Sequence, residues 1–139
     1  MATPLRIDFV SDVACPWCVI GLRSLMKALD AVGDKVDVAI HFQPFELNPD
    51  MAPEGENTTE HVTRKYGSNR ERSAASRNAM KESGDALGFT FNYGPQSRIW
   101  NTFDAHRLLH WAGLEGRQLE LKEALFKSNF TDQLPTSDH

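Results

Sequence analysis

Cys15 and Cys18 enclose Pro16 and Trp17 at the point where an apolar run gives way to a helical pattern, and they are the two cysteines of the chain. Residues 5–10 (LRIDFV) read as a short buried strand. Val19, Leu22, Leu25, Met26, Leu29 and Val32 then recur at helical spacing, and Gly33 ends the run. Two sulfurs one turn apart at a helix start can close a disulfide. The unpaired N–H groups and positive dipole end at that start favour thiolate on the first of them. Pro16 suits the first helical position, where its missing N–H is not needed. Ser11 or Asp12 stands where it can cap the turn into the motif.

Val36, Val38, Ile40 and Phe42 alternate with Asp37, Ala39 and His41, a second strand. A β-α-β unit follows, with parallel strands and a right-handed crossover. Past Phe42 the character changes. Pro44, Pro49 and Pro53, with Asn48, Asp50 and Gly55, make a long polar connection. Thr58 or Thr59 is placed to cap a helix running to Tyr66 and stopped by Gly67. Residues 68–87 read as another helix, weakened by Gly84, and residues 88–93 as a short extended or loop segment. Residues 100–111 and 118–130 read as two more helices, joined near Gly113 and Gly116. The expected organisation is an α/β part with the CxxC over residues 1–47, and a connection plus helical domain over residues 48–139.

A net charge of -4 leaves no basic footprint for nucleic acid. No run approaches the roughly 20 apolar residues of a membrane span. Met1 to Pro4 lead into the first strand without the charged start and apolar stretch of a signal peptide, so a cytoplasmic protein is expected. In a reducing compartment a lone CxxC is a poor structural staple, which favours a redox pair over inert thiols. Cys15, at the open end of the helix, takes the nucleophile role; Cys18, one turn in and expected to be more buried, resolves the mixed disulfide. Pro16 and Trp17 set the turn and shield the thiols. A half zinc site lacks a second CxxC. His106 and His110 have i, i+4 zinc-ligand spacing but no nearby acid or thiol partner, so no metal is expected. Phe45 reads as a core ring, with lining a substrate cleft as the alternative. Asn48 reads as a turn former or an active-site hydrogen-bonding group, and Asn101 and Thr102 as a helix cap. The charged run from Lys65 to Arg77 reads as a solvated helix face.

The chain resembles the DsbA-like branch of the thioredoxin superfamily, and within it the FrnE-like group of dithiol-disulfide oxidoreductases and isomerases. The resemblance rests on Val10-Ser11-Asp12 leading into Cys15-Pro16-Trp17-Cys18 and Ile20-Gly21. It also rests on residues 42–51 (FQPFELNPDM), on Lys65-Tyr66-Gly67, and on residues 101–109 (NTFDAHRLL) followed by Trp111-Ala112. It implies a thioredoxin fold carrying a helical insertion, and disulfide exchange with protein or small thiol substrates without a cofactor beyond the Cys15–Cys18 disulfide. It also implies that Asn101 and Thr102 point toward the thiols. A related group, the kappa-class glutathione transferases and hydroxychromene-carboxylate isomerases, typically carries Ser at the place of Cys15. Through it glutathione becomes a candidate co-substrate, with a glutathione-linked transferase or isomerase as the alternative activity. A non-catalytic dimerising module is the alternative outside enzymes. The family pattern resumes after the insertion with two more strands, a cis-proline loop and a helix that residues 1–139 do not contain. The chain is therefore expected to be part of a longer oxidoreductase, with an open edge on its first strand that invites a homodimer.

Overall fold

The computed structural model describes residues 2–138. Strand β1 (Thr3–Ser11) leads through the CxxC turn into helix α1 (Pro16–Val32). A 3₁₀ turn at Gly33–Lys35 then delivers the chain to strand β2 (Val36–Pro44). The two strands pair in parallel from Thr3 against Val36 to Ser11 against Pro44, so the expected β-α-β unit is present over its full length. Both strands end level with the CxxC, and the Phe45 amide donates to the Ser11 carbonyl just past the sheet (3.2 Å).

The remainder is mostly helical. Helix α2 (Thr58–Tyr66) and helix α3 (Arg70–Ala86) come first, then α4 (Phe103–Leu114) and α5 (Gln118–Phe126), which runs on into a π-helical turn at Lys127–Thr131. Two features differ from the sequence reading. The cap of α2 is Asn57, whose side chain accepts the Glu60 amide, and not a threonine. Strand β3 (Glu56–Asn57) pairs antiparallel with strand β4 (Arg98–Ile99), a two-residue ladder too short to leave an alternating pattern. Gly67 does end α2, in the left-handed conformation (φ 63°) that glycine adopts without steric penalty. Gly84 has a packing role that its helix-weakening character concealed. A Cβ there would lie 2.6 Å from the Phe91 ring and 2.7 Å from the Phe89 carbonyl.

One core joins the two parts. Val19 and Leu22 of α1 and Phe42 of β2 pack with Phe89, Phe91, Phe126 and Phe130. The second half of the α1 stripe is only partly used, and Val32 is exposed. A smaller cluster of Val13, Ala105 and Leu109 fastens α4 beneath the CxxC turn. Among the described residues β1 has β2 as its one strand partner, and Leu5 and Val10 are exposed. Among the described residues no helix is long and apolar enough to cross a membrane.

Candidate active site

Cys15 is the N-cap of α1, in extended backbone geometry, and Pro16 takes the first helical position. The turn is closed by the Cys15 amide on the Asp12 carbonyl (3.2 Å) and the Cys18 amide on the Cys15 carbonyl (3.1 Å). Both thiols are reduced and both are half-buried, so Cys18 is not the markedly deeper of the two. What separates them is where they face. Cys15, with Pro16 and Trp17, opens onto a cavity of about 580 Å³ between the CxxC turn and the helical part. Cys18 packs against the main core.

The two sulfurs share a hydrogen bond that divides their acidities. The Cys18 thiol is drawn down to about 6, first by the hydrogen bond from Cys15, against burial, with the Asp12 backbone and the Lys122 charge assisting. The Cys15 thiol is pushed up, first by donating that bond and then by burial and by the charge on Cys18. The amides of Cys18 and Trp17 do favour a Cys15 thiolate, as the helix start implied, but they are outweighed. The dithiol therefore gives up one proton easily and holds the second tightly, the remaining proton being shared between the two sulfurs.

Buried charges lie beneath the pair. The Asp12 carboxylate accepts from the Leu47 amide (2.9 Å) and from His106 Nε2 (3.1 Å). Burial pushes the Asp12 carboxyl up, but the bonds from His106, Leu47 and Thr102 prevail and leave it below the ordinary carboxylate value. His106 Nε2 also lies 3.1 Å from the Phe45 carbonyl. Both partners of Nε2 accept, so Nε2 carries the hydrogen. Lys122 of α5 is 1% exposed, with its ammonium over the rings of Phe126 (5.1 Å) and Phe42 (5.8 Å). Burial lowers its pKa to about 8, against the raising influence of Cys18, Asp12 and Cys15. Tyr93 faces the same region: burial raises its phenol, with Arg77 and Cys15 close enough to act on it.

The residues singled out in the sequence have different fates. Trp17 is a half-exposed platform (53%) beside Cys15. Asn48 lines the cavity with Cys15, its Oδ1 accepting from Lys65 Nζ (2.8 Å). Phe45 is not a core ring; it is 52% exposed, because its amide and carbonyl are both engaged at the strand end and turn its side chain outward. Asn101 is tied to the Met51 carbonyl (2.7 Å) and caps the Phe103 amide (2.9 Å). Thr102 is buried and reaches Asp12 from below. Neither of them, nor Phe45, lines the cavity beside Cys15. Ser11 is buried, and its hydroxyl finds no partner among the described residues, so it caps nothing. The run from Lys65 to Arg77 is not simply solvated, since Arg72 and Arg77 line the cavity. Lys122 was missed, although Leu119, Lys122 and Phe126 at i, i+3 and i+7 place a lysine on the apolar stripe of α5. Among the described residues no three His, Cys, Asp or Glu side chains form a metal-binding group. A wider cleft of about 700 Å³ lies beyond Arg77 and Tyr93 and does not include Cys15.

A parallel β-α-β unit with a dithiol at its helix start, joined to a helical part through one core, defines a thioredoxin-like protein. The DSBA-like thioredoxin domain family matches residues 6–139, and the chain belongs to that family. It is similar to the crystal structure of a probable DsbA oxidoreductase from Streptomyces coelicolor, with 32% identity and a TM-score of 0.88 over 96% of this chain. The chain spans 57% of the length of that protein. No curated protein sequence matches it.

Proposed function

We propose that this chain is the catalytic part of a thiol-disulfide oxidoreductase of the FrnE-like group, with Cys15 as nucleophile and Cys18 as resolving cysteine. The observation that carries the assignment is the placement of the thiols: Cys15 faces a cavity able to hold a substrate, and Cys18 stands behind it against the core. Transfer of the shared proton across the S–H···S bond puts the anion on Cys15, where the Trp17 and Cys18 amides receive it. Cys15 then attacks one sulfur of a substrate disulfide. A Cys15–substrate S–S bond forms, and the other half leaves as thiolate. Cys18, deprotonated, attacks the Cys15 sulfur and releases the second half. Two electrons pass from the dithiol to the substrate, and the two thiol protons end on the two product thiols. The reverse sequence oxidises a substrate dithiol.

Cys18→Ala is expected to accumulate a mixed disulfide on Cys15, visible by intact mass and peptide mapping. Cys15→Ala is expected to react far more slowly with the same disulfide. Equal or faster reaction at Cys18 in Cys15→Ala would reverse the roles. Full turnover in the absence of Cys15 would favour the glutathione-linked transferase alternative.

A further inference from the structure

We propose that the disulfide taken by this site is a small anionic one, carrying carboxylates that the arginines around Cys15 receive. This deepens the thiol-exchange reading above and rests on it. The cavity of about 580 Å³ that Cys15 opens onto is of the size that holds a small molecule. Its charge is one-sided. Arg72, Arg77 and Arg98 line it, and among the described residues no aspartate or glutamate does. The chain as a whole is acidic, with 19 carboxylate side chains against 15 lysines and arginines. A wall with three arginines and no carboxylate therefore runs against the composition.

These arginines are also not committed elsewhere. Arg6, Arg23, Arg64, Arg107 and Arg117 each hold a carboxylate. Among the described residues Arg72, Arg77 and Arg98 are in no ion pair. Two of them are nevertheless held in place by neutral partners. Arg77 bonds the Thr59 hydroxyl, and Arg98 bonds the Glu54 carbonyl (2.8 Å) and lies over the Trp100 ring. Fixed guanidinium groups with unsatisfied charge suit carboxylate, which they can bind in the plane of two N–H donors. Half of Trp17 remains exposed beside the sulfur, an apolar surface for the carbon skeleton. In the reaction one thiolate half of the ligand leaves and the other stays on Cys15, so both halves pass through a field that favours negative charge.

The test is a charge series of small disulfides on the reduced chain: dithiodipropionate (dianion), hydroxyethyl disulfide (neutral) and cystamine (dication). Each rate is divided by that disulfide's rate with mercaptoethanol under the same conditions, which removes intrinsic reactivity. At low salt the dianion is expected to exceed the dication by about tenfold, a preference that shrinks as salt is added. Arg72→Gln, Arg77→Gln and Arg98→Gln are each expected to cut this ratio, by up to about fivefold. Only variants whose urea midpoint matches wild type are compared, so a fall in the ratio does not come from thiols of unfolded chain. Equal normalised rates, or a faster dication, overturn the inference while leaving thiol exchange intact. A dianion preference that survives all three replacements overturns the assignment to these arginines. No exchange with any of the three disulfides removes the thiol-exchange reading itself.

Discussion

Replacing Lys122 with methionine removes a buried ammonium while keeping the length of the side chain, and its effect can be worked from the site. The pKa of Lys122 falls from 10.5 to about 8, with burial as the main cause. At 1.36 kcal/mol per pKa unit, the buried charge disfavours the fold by about 3 kcal/mol. The rings of Phe42 and Phe126 offset about 1–2 kcal/mol of what an ammonium in a wholly apolar site would suffer, and a methionine forgoes that. Lys122→Met in the reduced protein should therefore be more stable by about 1–2 kcal/mol at neutral pH. The pH dependence has a definite sign. The folded pKa lies below the unfolded one, so between about 8 and 10.5 the unfolded chain binds more protons and wild-type stability from this group rises with pH. Below that window the penalty is complete. The advantage of the methionine variant should accordingly fade toward pH 10.5. In the oxidised protein Lys122 loses the Cys18 thiolate as a partner, and the gain should be larger than in the reduced protein. Urea unfolding of both proteins in both redox states, at neutral pH and above pH 10, gives all four differences. A variant less stable than wild type in the oxidised state at neutral pH, with no change in that difference on raising pH, would mean that the buried ammonium is no burden on the fold.

Three other outcomes follow from the packing and the charges. Asp12→Asn should lower stability at neutral pH by about 1–3 kcal/mol, by taking the anion from buried donors. Because the Asp12 carboxyl titrates below its ordinary value, its contribution is full above about 4 and is lost as pH falls through the folded value, so the deficit of the variant should narrow in acid unfolding. Gly84→Ala should lower the urea midpoint by the equivalent of about 1–3 kcal/mol, since the new methyl meets the Phe91 ring and the Phe89 carbonyl, and an unchanged midpoint would mean that α3 slides freely over that segment. Among the described residues one side of β1 is unpaired, and with Val10 60% exposed it should support a concentration-dependent homodimer that Val10→Lys disrupts. A monomer by light scattering at high concentration would refute it.

The β-α-β unit was legible because each of its parts carries a periodic signal. The strand before the CxxC, the helical stripe from Val19 and the alternation of 36–42 all correspond to elements with the expected pairing. Helix α2 could be read from Gly67, although its start could not be fixed: Asn57, Thr58 and Thr59 are adjacent capping types, and only the approach of the Glu60 amide selects Asn57. Phe45 shows where composition misleads. An aromatic after a strand defaults to the interior, but here the backbone on both sides of it is tied down, and the ring is left outside. The cavity wall was illegible for a different reason. Arg72 and Arg77 sit in a helix of low hydropathy, and their place on the cavity wall depends on how α3 packs against α1, which no local pattern encodes.

The charges beneath the dithiol explain why a sequence-level rule about helix ends was insufficient. A helix start acts on whichever sulfur receives its amides, and that is Cys15. The proton, however, is shared, and its position depends on what surrounds both sulfurs. Beyond the bond from Cys15, Cys18 feels an ammonium at Lys122 that favours its anion and a carboxylate at Asp12 that opposes it. Both of those groups are nearly inaccessible to solvent, so neither interaction is screened as a surface pair would be. Lys122 comes from α5, more than a hundred residues along the chain from the thiols, and reaches them only because Phe126 and Phe42 pack in the same core. The helical part is thus more than a cover over the substrate cavity. It supplies a charge that assists the Cys15 bond in lowering the Cys18 thiol, and it supplies the arginines on the cavity side. The bond between the two thiols acts first on their acidity, Lys122 adds to it from outside residues 1–47, and the arginines that line the cavity lie outside those residues too.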